Sequence, residues 1–192
     1  AFSVGIDNDQ QSEWYESLPF PLASILRGWA ATAPDKHLEK QALLIDFFDA
    51  TVQFHAIILL SAFGSRPELF AKQRGKVRRA IQKAPGGLER TGFGTWKAVL
   101  ESLSKATQEL LEGKAGWGRE EGAGLCQEIF ADPSLQLPRM LASRKLDKEV
   151  LPKVMDIRNN QWGHSGRKGG YNAQKANQHL ERLLNDLRGV WS

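Results

Sequence analysis

The chain has little of what disulfides and metal sites require. Its 192 residues include one cysteine, Cys126, and four histidines. A single cysteine cannot form an internal disulfide and leaves no multi-cysteine metal site. The histidines form neither an HExxH motif nor a close pair. The sequence therefore predicts no bound metal ion and no other cofactor.

Long apolar runs and a targeting segment are also missing. No uninterrupted stretch approaches about 18 apolar residues, so we expect a soluble protein that has no membrane partner. Residues 1–4 lack the basic and apolar regions of a signal peptide, and together with the single cysteine this predicts a cytoplasmic location. A start without methionine predicts a piece of a longer parent protein, whose other domains would be partners.

Glycine is plentiful, but the glycines do not form a nucleotide loop. None is followed by Lys-Ser or Lys-Thr, and Gly116-Trp117-Gly118 lacks the third glycine of a dinucleotide fingerprint. No G-x-S-x-G elbow is present either. We interpret the glycines as turns. Residues 113–147 are predicted to alternate glycine-rich loop and short helical pieces, with a glycine-rich insertion at 113–132.

Apolar residues recur at helical spacing, and no segment alternates with the period of a β-strand. The sequence predicts an all-α fold, with residues 1–17 as a linker or N-terminal arm and a single domain over 18–192. Breakers and caps place helices at about 36–63, 67–84, 95–112 and 173–191. Apolar residues cover most sides of the helix at 36–63, so we expect it to be the core, with His55 as a core histidine.

Positive charge is concentrated in one segment. Residues 66–97 contain nine lysines and arginines but only two glutamates, in a chain whose net charge is +4. Such a segment is typical of a protein that binds a phosphate backbone. The alternative is a solvated helix face. The residues predicted to bind nucleic acid are Lys72, Arg74, Lys76, Arg78, Arg79 and Lys83.

The strongest chemical signal is the stretch IRNNQWGHSG at residues 157–166. Burial of an unpaired guanidinium is costly, so Arg158 is expected either to pair with Asp46 or Asp156 or to face an anion. His164 follows six residues later, beyond Gly163, which permits the helix to loosen. On a helix, Arg158 would share an otherwise apolar stripe with Leu151, Met155 and Trp162, and we expect this stripe to face a second copy of the chain.

Arg158, Asn159 and His164 resemble the signature of the HEPN superfamily, an arginine with a polar residue directly after it and a histidine four to six residues further on. The long apolar helix upstream and the amphipathic helix downstream are similar to that family as well. The resemblance covers roughly residues 18 to 191. It implies a HEPN-like bundle of four core helices, here with extra helices and the glycine-rich insertion.

The resemblance also implies a function. We expect a metal-independent endoribonuclease of a bacterial defence or toxin system, with a composite site where two copies meet in a homodimer. The 2′-hydroxyl of single-stranded RNA would be the nucleophile, so the protein supplies proton transfer and charge stabilisation. His164 suits the first task, Arg158 the second, and Asn159 would orient either group. The alternative is a non-catalytic nucleotide-binding or dimerisation module within a larger NTPase-, kinase- or nuclease-containing protein.

Overall fold

A computed structural model of the chain describes residues 14, 16–84, 92–114, 116–162 and 172–191. Over these residues the secondary structure is helical and contains no β-strand, which confirms the all-α prediction. The elements are α1 (Phe20–Ala31), α2 (His37–Gly64), α3 (Pro67–Lys83), α4 (Phe93–Leu111), α5 (Arg119–Phe130), α6 (Gln136–Ala142), a π turn (Leu146–Val150), α7 (Leu151–Trp162) and α8 (Ala173–Trp191).

Local chemistry explains where several helices begin. The carbonyl oxygen of Pro19 accepts hydrogen bonds from the backbone N–H groups of the first turn of α1. Pro67 occupies the first turn of α3, where the missing N–H costs nothing. Asn172 caps α8, because its Oδ1 accepts a hydrogen bond from the Lys175 N–H at 3.0 Å, as the sequence predicted.

The chain divides into two compact units, each built from two stretches of sequence. The first unit comprises Ala1–Thr51 and Asp156–Leu184, and the second comprises Val52–Met155 and Asn185–Ser192. Helices α2, α7 and α8 each contribute residues to both units. The single domain over 18–192 and the boundary at residue 17 stay predictions.

The core of the first unit contains the N-terminal half of α2, where Leu44, Phe47 and Phe48 are fully buried. Trp14 makes an edge contact with Phe47, with ring centroids 6.3 Å apart. This contact attaches the segment around Trp14 to the core of the first unit. Residues 1–13 and Tyr15 lie outside the described residues.

Helix α1 is joined to α2 through one lysine. The Lys40 ammonium lies 4.6 Å from the centre of the Trp29 ring and donates a hydrogen bond to the Trp29 carbonyl oxygen at 3.3 Å. Burial raises the pKa of Glu181 on α8, and the positive charges of Lys40 and His37 oppose that rise. Polar groups of α1, α2 and α8 therefore lie close together around Lys40.

The second unit is organised around α4, which contacts α3, α5, α6 and the π turn. Helix α5 approaches α4 closely at Gly122, where an added Cβ atom would lie 2.1 Å from the carbonyl oxygen of Leu110. No side chain fits at that distance. Gly113, at φ 68°, allows the chain to turn after α4.

The prediction of a glycine-rich insertion at 113–132 is therefore partly wrong. Residues 119–130 form a continuous helix, and Gly122 is required by helix packing rather than by a turn. The prediction failed because glycine has a low helix propensity, and a close approach between helices overrides that preference.

Helix α2 is long and apolar enough to cross a membrane by length and composition alone. Its most apolar window of 18 residues has a mean hydropathy of 1.7, and half of that window is buried inside the protein. Polar residues interrupt this window, so it contains no long uninterrupted apolar run. A core helix covered by several neighbours has the same composition.

Candidate active site and basic helix

Arg158 lies at the edge of the buried face of α7. Val154 and Ile157 turn into the interior, where they are 0% and 8% exposed. Arg158 follows Ile157, and its side chain is half-buried. Its aliphatic stem can thus cover apolar surface while the guanidinium remains accessible to a ligand.

Two carboxylates of α2 belong to the same unit as Arg158. Asp46 and Asp49 are one helical turn apart. Burial, followed by the negative charge of Asp49, raises the pKa of Asp46, whereas the positive charge of Arg158 opposes that rise. Such an effect requires that the groups lie close together. The first unit therefore holds a mixed cluster of two acids and one arginine.

This cluster bears on the two roles considered for Arg158. Of the two possible ion-pair partners, Asp46 is in electrostatic range, and Asp156 is exposed on α7. A guanidinium has five N–H donors, and a carboxylate that binds it in a fork takes two of them. Proximity to Asp46 is therefore compatible with both roles of Arg158, the internal ion pair and the binding of an anion.

The other predicted catalytic residues are described only in part. Asn159 is exposed and lies next to Arg158 in α7. His164 lies outside the described residues, as does Gly163. The predicted interruption of the helix at Gly163 therefore lies outside the described residues and stays a prediction.

The basic helix α3 belongs to the second unit and is attached to the fold along one face. Leu69, Gln73 and Val77 are its buried residues. They recur every four residues, as one face of an α-helix requires. The side chains predicted to bind nucleic acid are all exposed: Lys72, Arg74, Lys76, Arg78, Arg79 and Lys83.

Two of the basic side chains of α3 are bound to the rest of the second unit. The Lys72 ammonium lies 4.1 Å from the centre of the Trp117 ring. The Lys76 ammonium lies 3.6 Å from a carboxylate oxygen of Glu109 on α4. These contacts fix the direction of both lysines, and Glu109 compensates part of their charge.

The remaining basic residues of α3 lie on two flanks. At about 100° per residue, Arg74 and Arg78 share one flank, and Arg79 lies on the opposite flank with the two anchored lysines. The Arg79 Nε–H donates to the carbonyl oxygen of Gly75 at 3.2 Å, within the helix. The flank of Arg74 and Arg78 thus presents two guanidinium groups one turn apart, which suits successive phosphates.

Trp117 and Glu109 were not predicted to take part in this surface. Both are far from α3 in the sequence, and neither stands in a motif. Helix packing brings these residues to α3, and the sequence around them contains no pattern that predicts the contact.

No family model, curated protein or solved structure matches the chain. The HEPN-like interpretation therefore depends on the residues around Arg158. Over the part of the chain that the structure describes, no group of three His, Cys, Asp or Glu residues is arranged to hold a metal ion.

The apolar stripe predicted to face a second copy is partly buried within the single chain. Leu151 is fully buried within the single chain, and Met155 is half-buried. The side chain of Trp162 is not among those described. The prediction that Leu151 contacts a second copy is therefore wrong, because its apolar surface is already removed from water within the chain.

Proposed function

We propose that the chain is a metal-independent endoribonuclease of a bacterial defence or toxin system. The observation that carries the proposal is the accessible Arg158, held beside Asp46 on a helix that continues through Asn159 toward His164. An oriented arginine followed by an amide and an imidazole is a set of groups that can cleave a ribose phosphodiester without a metal ion.

In the proposed reaction, the 2′-hydroxyl attacks the adjacent phosphorus atom. A new bond forms between the 2′-oxygen and phosphorus, and the bond from phosphorus to the 5′-oxygen breaks. The products are a 2′,3′-cyclic phosphate and a 5′-hydroxyl group. His164 transfers a proton in this exchange, and Arg158 stabilises the charge on the phosphoryl oxygens. Asn159 orients the histidine or the phosphate.

We further propose that α3 supplies RNA affinity. Its exposed flank of Arg74 and Arg78 attracts the phosphate backbone without reading bases. In the HEPN family two copies form a shared site, and a homodimer is accordingly part of this proposal. Half-buried Met155, one turn before Asn159 on α7, remains a candidate contact for the second copy.

The test is cleavage of single-stranded RNA by the purified chain in EDTA. We expect 2′,3′-cyclic phosphate ends, and we expect them to disappear in His164→Ala. The matched control is His179→Ala, because His179 is exposed on α8. If His164→Ala and His179→Ala both cleave at the wild-type rate, His164 has no role in the reaction.

The second candidate is a non-catalytic nucleotide-binding or dimerisation module of a larger protein. The observation that favours it is the pair of acids beside Arg158, because an arginine compensated by Asp46 can act as a structural link between helices. Calorimetry separates the two functions. Tight ATP binding without RNA turnover would support the module, whereas RNA binding with turnover would support the nuclease.

A further inference from the structure

A small cavity lies within the second unit, apart from the residues assigned above. Its volume is about 10 Å³, which is close to the space that one water molecule needs. Residues of α2, α4, α6 and the π turn line it. The polar side chains among them are His55, Ser104, Ser143, Arg144 and Asp147.

Asp147 uses only one of its two carboxylate oxygens. Its Oδ2 accepts hydrogen bonds from Arg144 Nε at 3.1 Å and Nη2 at 2.9 Å. Its Oδ1 has no hydrogen-bond partner among the described protein atoms, although the residue is only 2% exposed. Buried oxygens in folded proteins almost always have a hydrogen-bond partner, so the open position at Oδ1 calls for a donor.

The backbone around Asp147 is irregular in two places. Arg144 adopts the left-handed conformation at φ 58°, which is costly for a residue with a side chain. The π turn then carries one residue more than an α-helical turn, and the Leu151 N–H bonds to the carbonyl oxygen of Leu146. Arg144 and Asp147 both line the cavity, and π turns are frequent at functional sites.

The charges around the cavity favour a neutral occupant. Arg144 compensates Asp147, so an anion would meet the carboxylate and a cation would meet the guanidinium. His55 is 5% exposed, and burial lowers its pKa to about 4, so its ring is neutral near pH 7. A neutral molecule that donates hydrogen bonds and is no larger than water satisfies the volume, the charge and the open acceptor together.

We propose that this cavity is a binding site for one ordered water molecule, which donates a hydrogen bond to Asp147 Oδ1. The Ser104 hydroxyl and the His55 ring line the same cavity and provide its other polar neighbours. In this arrangement the water completes the hydrogen bonds of an ionised Asp147, and the carboxylate in turn holds Arg144 in its left-handed turn.

A crystal structure of the wild-type chain, at a resolution that shows ordered water, is the direct test. We expect a water oxygen within hydrogen-bonding distance of Asp147 Oδ1. The opposing result is a dry cavity with a protonated Asp147, which infrared spectroscopy would detect as a carboxylic acid band that disappears in Asp147→Asn. That result would overturn the proposal.

Oxygen-17 relaxation measures the same water in solution. We expect Ser104→Val to fill the cavity and to remove the signal of one long-lived internal water. Ser102→Val is the control, because Ser102 lies on the same helix and does not line the cavity. An unchanged signal in a folded Ser104→Val variant would overturn the proposal, and the wild-type crystal structure remains decisive if that variant fails to fold.

Discussion

The charged groups of the two units differ in how they are compensated. Arg158 in the first unit lies beside the acids of α2, whereas Arg74 and Arg78 in the second unit stand exposed on a helix with few acidic residues. A compensated arginine is held in one direction, which favours a role at the reacting phosphate. Exposed arginines on a helix surface attract a polyanion from a distance. The difference predicts that loss of Arg158 alters the cleavage rate, and that loss of Arg74 and Arg78 alters RNA affinity.

The largest effect is expected at Arg158. We predict that Arg158→Ala lowers the cleavage rate at saturating RNA by about 10² to 10³-fold, since a preorganised donor to the phosphoryl oxygens is lost. Arg158→Lys keeps the charge but not the planar fork, so it should recover only part of the rate. Single-turnover kinetics measure this. A change in affinity without a change in rate would contradict the contrast between the units.

A pH titration of stability distinguishes buried His55 of the second unit from Asp46 of the first unit by the sign of its effect. The folded pKa of His55 in the second unit is about 4, against an ordinary value of 6.5. Below pH 6.5 the unfolded chain gains a proton at this residue before the folded chain does. Stability should therefore fall as the pH is lowered from 6.5 to about 4, by up to about 3 kcal/mol.

The raised pKa of Asp46 in the first unit acts in the opposite direction, because its folded form holds a proton more tightly than the unfolded form. Comparison of variants isolates the histidine. Chemical denaturation of His55→Phe should show a flatter dependence on pH, and exposed His179→Gln should keep the wild-type slope. Equal slopes in all three proteins would mean that His55 is not buried in its neutral form.

A smaller effect is expected on α3. Arg74→Gln combined with Arg78→Gln should weaken RNA binding by about tenfold and reduce the salt dependence by about 1.4 in log–log slope, as the loss of two phosphate contacts requires. The rate at saturating RNA should be unchanged. The matched control is Arg119→Gln with Arg139→Gln, which removes the same charge from exposed positions of the same unit. Equal losses in both pairs would indicate an effect of net charge alone.

The smallest effect is expected at Asp46. Asp46→Asn removes a negative charge near Arg158 and should tighten RNA binding by about twofold to fivefold. Asp156→Asn is the control, because Asp156 is exposed on the same helix as Arg158. Fluorescence anisotropy measures both. If Asp46→Asn instead destabilises the fold and leaves RNA binding unchanged, Arg158 is a structural link and the second candidate function gains support.

The sequence predicted those parts of the fold that have local causes. Pro67 and the Asn172 cap mark helix ends, and the apolar pattern of α8 placed its four buried leucines. It also named Asp46 as a possible neighbour of Arg158, since both are charges on otherwise apolar helices. These predictions needed only spacing and the cost of burying charge.

The rest depended on contacts between distant residues. Helix α5 was missed because the reason for Gly122 is the carbonyl oxygen of Leu110 on another helix. Glu109 and Trp117 reach α3 through the same packing. The cavity beside Asp147 was missed for a similar reason, because the residues that line it come from separate helices. The periodicity of apolar residues in the sequence does not indicate contacts between residues of separate helices.

The π turn has a consequence for comparing this chain with relatives. One extra residue between Leu146 and Leu151 advances the downstream helix by about 100° relative to an unbroken α-helix. A relative that lacks this residue would place Arg158 where Ile157 now lies, unless its arginine were also moved by one position. An alignment of the R-N-x4-H motif with such relatives must therefore allow a gap of one residue at the π turn, because a pairing without that gap would match the buried position of Ile157 with that of Arg158.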